Sequence, residues 1–163
     1  MEIVVLTELH YPEVARIYLE GIATGHATFQ TEAPAWADWD KSHLNHSRFV
    51  AIENNNVIGW AALTPVSSRC VYAGVAEVSV YIADGQRGKG VGHTLLSHLV
   101  KKSEANNIWT LQAGIFPENK PSEQLHYKNG FRLVGVREKI GKMKDTWRDN
   151  LFLERRSKIT GIN

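Results

Sequence analysis

The chain has 163 residues, 43% hydrophobic and 22% charged, which fits one globular domain over 1–163 and excludes a disordered segment. A net charge of +2 lacks the dense basic stripe of a nucleic-acid binder, and the local excess at Arg155, Arg156 and Lys158 reads as a solvated tail. A lone cysteine, Cys70, excludes an intrachain disulfide or cysteine metal cluster, and with no signal-peptide pattern or membrane-length apolar window the expectation is cytoplasmic.

EIVVL at the start is a short apolar run that predicts a strand. From Pro12 onward, Val14, Ile17, Tyr18 and Ile22 recur at helical spacing, with the proline near the helix start where its missing N–H costs little. ATGHATFQTEAPA has no period and reads as a loop. Trp36 to His43 predicts a second helix. RFVAIENNNVIGWAAL reads as two strands about an asparagine-rich turn. After the irregular SSRCVYAG, in which Cys70 reads as a small apolar filler, VAEVSVYIA predicts a strand. A helix with Val91, Leu95, Leu96, Leu99 and Val100 on one face then follows. IWTLQAGIF is a further strand, NKPSEQLHYK a helix stopped near Gly130, and FRLVGVREKI and TWRDNLFLER close the chain as two strands. The order implies an α/β domain with a mixed sheet. Trp36, Trp39, Trp60 and Trp109 read as core or interface.

QRGKGVGH, residues 86–93, joins a strand to a helix and carries glycine at positions 88, 90 and 92. Such a turn presents bare N–H groups at a helix N-terminus, a site for phosphate. A Walker loop fails, because Lys89 lies between glycines and no Ser or Thr follows it. A dinucleotide fingerprint is matched only in part, since Gly88 and Gly90 supply its first two glycines and His93 stands at the position of the third. A third pattern fits: Gln or Arg, two variable residues, Gly, one variable residue, then Gly or Ala. Arg87, Gly88, Lys89, Gly90, Val91 and Gly92 satisfy it in order.

With these residues the sequence resembles the GNAT N-acetyltransferase superfamily, which binds the pyrophosphate of acetyl-CoA on this turn. The later segment NKPSEQLHYKNGF strengthens the likeness through Asn119, Ser122, Leu125, Lys128, Gly130 and Phe131. The resemblance implies a mixed, mostly antiparallel sheet flanked by helices. It also implies an acetyl-CoA site from Val78, Val80, Arg87, Gly88, Lys89, Gly90, Val91, Gly92, His93, Asn119 and Ser122. Further stretches resemble the branch acting on phosphinothricin, methionine sulfone and methionine sulfoximine. They are Phe29-Gln30-Thr31-Glu32, the pair Arg69 and Tyr72, Glu77, and Trp147 with Asp149. That resemblance implies acceptor contacts from Phe29, Thr31, Glu32, Arg69, Tyr72 and Trp147, and a homodimer.

An amine attacks a thioester only as the free base, and a nearby carboxylate can take its proton. Glu77 fills that role in the branch, sharing a strand face with Ser79 and Tyr81 opposite Val78, Val80 and Ile82. His126 stands where most of the superfamily has tyrosine. An imidazole with an ordinary pKa of about 6.5 serves either as acid to the departing thiolate or as a second base. Arg69 reads either as a bidentate partner for an acceptor anion or as an exposed loop charge. The remaining histidines lack metal-ligand spacing. The expectation is acetyl transfer from acetyl-CoA to the α-amine of a small amino-acid-like substrate. The rivals are transfer to a protein N-terminus or a polyamine, and a non-catalytic acyl-CoA sensor.

Overall fold

Period-two strands and amphipathic helices dominate the computed structural model, which describes residues 1–163. In chain order they are β1 (Glu2–Val5), α1 (Tyr11–Ala23), α2 (Trp36–Ser42), β2 (Phe49–Glu53), β3 (Asn56–Pro65), β4 (Val75–Ile82) and α3 (Val91–Ala105). Then come β5 (Thr110–Ile115), α4 (Lys120–Lys128), β6 (Arg132–Met143) and β7 (Thr146–Arg156), with short 3-10 turns at Glu8–His10 and Cys70–Tyr72. The β2–β3 hairpin turns on Asn54 and Asn55, both at positive φ, a conformation that asparagine tolerates.

One seven-stranded sheet results, in the order β1-β2-β3-β4-β5-β7-β6. Every pairing is antiparallel except β4 with β5. Alternation gives the sheet two apolar faces. Ala61, Leu63 and Val78 point toward α3, where they pack with Leu95, Leu96 and Leu99. Trp60, Ala62 and Ala83 point the other way and pack with Val14 and Ile17 of α1 and Trp39 of α2. Glu77, Ser79 and Tyr81 share this second face.

Two readings are corrected by the fold. Arg155 and Arg156 are not a free solvated tail, because both belong to β7, which runs alongside β5 and brings Arg155 onto α3. There the Arg155 Nη1 pairs with Glu104 at 2.9 Å, and the Ser157 hydroxyl donates to the same carboxylate at 2.8 Å. Arg156 donates to the carbonyls of Trp109, Ser157 and Thr160. Cys70 fills no core space either: it stands exposed on the 3-10 turn before β4.

The parallel start of β4 against β5 depends on a close approach. The carbonyl of Gly74 accepts the N–H groups of both Trp109 (2.8 Å) and Thr110 (3.1 Å), and a Cβ at position 74 would fall inside the Trp109 ring. Gly74→Ala should therefore destabilise the protein by about 1–3 kcal/mol through overpacking. Chemical denaturation monitored by tryptophan fluorescence checks this; an unchanged midpoint would contradict it.

Candidate active site

β4 and β5 pair at only three positions, Val75–Thr110, Ala76–Leu111 and Glu77–Gln112, although β4 continues to Ile82 and β5 to Ile115. Past Glu77 the two strands part. Their facing edges keep backbone N–H and C=O groups that the sheet does not use, and such groups need partners. A cavity of about 1360 Å³ opens along this split, lined by Val78 to Ile82 on one side and by Ala113 to Phe116 on the other.

At one end lies the start of α3. Gly90 is its N-cap at φ 85°, with no side-chain cap and no acidic residue in the first turn. Gly88 also has positive φ, 76°, and no atom stands within 4 Å of where a Cβ would be on either glycine. Helix geometry leaves the first N–H groups without intrahelical partners, and the dipole adds positive potential there. Gly88, Gly90 and Gly92 line the cavity with Arg87 and His93, and the buried Nδ1 of His93 has no hydrogen-bond partner. Val91 is buried at the first helical position, whereas Lys89 is exposed and outside the lining. Gly92 lets α3 approach α4, since a Cβ there would sit 3.1 Å from Leu125. Asn119 caps α4 by accepting the Ser122 N–H at 3.3 Å. Open glycines, an uncapped helix start and an orphaned imidazole nitrogen fit the pyrophosphate end of acetyl-CoA.

Glu77 sits at the apex of the split. Its Oε2 accepts a hydrogen bond from Gln112 Nε2 at 3.1 Å, so the last rung of the parallel ladder also orients the carboxylate. His126, on α4, is 4% exposed and edge-on to Phe131. Its Nδ1 donates to the Ser122 carbonyl at 2.7 Å, since a carbonyl oxygen only accepts. Nε2 therefore carries the lone pair. Burial pulls the imidazole pKa below its ordinary value, with the Ser122 contact partly opposing. Both groups line the one cavity. Tyr127, one residue on, points away and donates to Glu123 at 3.0 Å.

The loop between α1 and α2 roofs the cavity. Phe29 meets Phe116 edge-on at 4.8 Å and stands over Gly141, where a Cβ would be 2.8 Å from its ring. Glu32 also lines the cavity; Thr31 is exposed and does not. Arg148, which sequence reasoning passed over between Trp147 and Asp149, holds the roof down. It lies 4.2 Å over the Phe116 ring and donates to the Gly25 carbonyl at 3.0 Å, to His26 Nδ1 at 3.1 Å and to Glu118 at 3.2 Å. Asn119 adds a bond to the His26 carbonyl at 3.1 Å. Gln112 was also missed; a polar residue at an alternate position in TLQAGI was its available signal. Arg69, Tyr72 and Trp147 stand apart from the cavity. The Arg69 guanidinium rests 5.5 Å over the exposed Tyr72 ring, and Trp147 lies 57% exposed on the opposite sheet face.

Residues 12–131 match the sequence model of the Acetyltransferase (GNAT) family. A Bacillus subtilis (strain 168) protein, YwnH, provisionally described as a phosphinothricin acetyltransferase, is 37% identical over 141 residues, covering 81% of this chain and 86% of its own. A GNAT superfamily phosphinothricin acetyltransferase from Sinorhizobium meliloti, solved in complex with acetyl-CoA, superposes with a TM-score of 0.89 at 27% identity. That match covers 99% of this chain and 91% of the other. A ribosomal-protein-alanine N-acetyltransferase from Brucella melitensis superposes at 0.88, also with 27% identity, over 96% and 100% of the two chains.

The Arg148 contacts make a prediction about the roof. Arg148→Ala should speed amide exchange across residues 24–34 while leaving β2 and β3 protected, because it removes only what ties that loop down. Hydrogen–deuterium exchange read by mass spectrometry checks it, and unchanged loop protection would count against the latch.

Proposed function

The chain belongs to the acetyltransferase (GNAT) family, and from that premise we propose that it acetylates the α-amine of a small amino-acid-like acceptor of the phosphinothricin, methionine sulfone or methionine sulfoximine type. Acetyl-CoA supplies the acetyl thioester. The reading rests on one observation above all: an exposed carboxylate, Glu77, and a buried neutral imidazole, His126, face the same cavity that the glycine turn opens into. The acceptor class is supported by the Phe29-to-Glu32 segment on the roof and by the relatives that the chain resembles.

Acetylating an ammonium group releases two protons. One must leave before attack, and the other leaves the nitrogen as the amide forms and can end on the thiolate. Glu77, exposed and steadied by Gln112, takes the first and passes it to solvent. His126 takes the second on Nε2 and returns it to the sulfur, a relay suited to a buried group that begins neutral. Both substrates are bound together and the amine attacks directly. Gly90 and the first N–H groups of α3 hold the phosphates, assisted by Arg87 at the lining and, through nearby charge alone, by the exposed Lys89. Leu133, Val136 and Trp147, exposed on the α3 side of β6 and β7, support a homodimer. No helix is long and apolar enough to cross a membrane, and the lone exposed cysteine supports a cytoplasmic location.

Thiol release from acetyl-CoA should be fastest with methionine sulfone, methionine sulfoximine or phosphinothricin. Faster turnover of spermidine would instead favour a polyamine enzyme, and of an alanine-terminated peptide the reading that the Brucella melitensis neighbour favours. Release with no amine in the panel would favour the sensor.

The chemistry sets a second pair of outcomes. Glu77→Gln should lower kcat by about 10²–10⁴-fold with acetyl-CoA affinity kept. Because burial lowers the His126 pKa, its base form dominates at neutral pH. So kcat should fall as the pH drops below about 6.5 and should not fall through this group as the pH rises. His126→Phe should abolish that acid limb; a wild-type pH profile in the variant would remove His126 from the chemistry.

A further inference from the structure

Strand register makes a continuous floor on the sheet face that carries Glu77. Glu77 pairs with Gln112, two residues before Gly114; Gly114 pairs with Phe152, two residues after Asn150; and Asn150 pairs with Arg137. Glu77, Gly114, Asn150 and Arg137 all line the large cavity. Side chains two apart on a strand share a face, so a trough runs diagonally from β4 across β5 and β7 to β6. Gly114 keeps it open: a Cβ there would lie 2.8 Å from Asn150 Oδ1.

We propose that Arg137 and Asn150 form the anion-holding end of the acceptor site, gripping the carboxylate of an amino acid whose amine is presented to Glu77. The other arginines of the β6–β7 hairpin are engaged. Arg132 pairs with Glu154, Arg148 with Glu118 and Arg155 with Glu104, while Arg156 binds backbone carbonyls. Arg137 has no acidic or carbonyl partner, and its guanidinium lies 4.2 Å over the Phe152 ring. Stacking of this kind fixes the plane of the fork while leaving its N–H donors free for a planar anion. The Asn150 amide makes no hydrogen bond to the protein in its place beside Gly114 and adds a neutral donor. A register shift between Arg137 and Gly141 breaks the ladder just beyond the arginine. There the carboxylate of Asp149 accepts the Lys139 N–H at 2.8 Å and pins the irregularity. Bulges beside sites re-aim side chains, and this one lies immediately beyond the arginine that lines the cavity. Opposite charges at the two ends of the trough, Glu77 and Arg137, match a zwitterion. Arg69 lies outside the lining.

This inference rests on the amino-acid reading above, and steady-state kinetics separates the two. Wild-type enzyme is assayed with L-methionine sulfone and with its carboxamide, which keeps the amine and loses the carboxylate. The acid should have the lower KM by about tenfold or more, the scale of a charge-assisted hydrogen bond. Arg137→Gln should raise the KM of the acid to that of the amide with little change in kcat and an unchanged acetyl-CoA KM, which also reports intact folding. Arg137→Lys should restore part of the discrimination, and Asn150→Ala should weaken it less than Arg137→Gln. Should the Arg137 variants fail to fold, Asn150→Asp, which sets a like charge where the acceptor carboxylate is held, is read for the same selective rise in acid KM. If Arg137→Gln keeps the wild-type preference for acid over amide, the proposal is overturned while the amino-acid reading stands. If wild-type enzyme acetylates neither compound nor any other amino acid, the reading beneath it fails first.

Discussion

Three rungs of parallel ladder and no more hold β4 to β5, and every part of the site takes its position from the place where that ladder stops. A sheet that stayed paired would bury the facing backbone groups in strand–strand hydrogen bonds and leave no cavity. A sheet that never paired would lose the Glu77–Gln112 rung that fixes the carboxylate. The Gly74–Trp109 contact sets where pairing begins, and the divergence after Glu77 sets where it ends. Carboxylate, cavity and uncapped helix start follow in that order along one strand and its continuation.

The two titratable groups, Glu77 and His126, reach the cavity by different routes and acquire different characters. Glu77 projects from a strand near solvent, and its partner is a neutral amide that orients it without supplying a competing charge. His126 projects from α4 into an apolar setting against Phe131, where losing water disfavours the charged imidazolium. The carbonyl of Ser122, one helical turn earlier, fixes its tautomer. The same short helix carries the Asn119 cap that also binds the roof loop, so imidazole and roof share one support.

Much of this was legible in the sequence. Period-two and helical apolar spacings gave the element order, because packing against a two-faced sheet leaves that signature in every strand and amphipathic helix. The glycine turn was legible because its backbone adopts positive φ at Gly88 and Gly90, and glycine records that directly. Arg148 and Arg137 were not, since each acts on segments distant in the chain that meet only on folding, and Gln112 left only its place in the alternation of TLQAGI. Arg148 contacts Gly25 and His26, more than a hundred residues away in the chain, and no local pattern encodes such a meeting. The basic cluster at 155–158 shows the converse failure: composition alone could not tell a solvated run from arginines tied to Glu104 and to carbonyls.

β6 is the long outer strand of the sheet, twelve residues with one side unpaired and apolar side chains along it. Such an edge is an open template for another molecule's strand, and a flat one would be an aggregation hazard. Its ladder is interrupted twice, between Leu133 and Gly135 and between Arg137 and Gly141. Those irregularities bend the row of outward N–H and C=O groups so that no straight strand can lie along its whole length. The distortion beside the arginine thus also makes β6 a poorer template for edge-to-edge pairing than a straight strand of the same length would be.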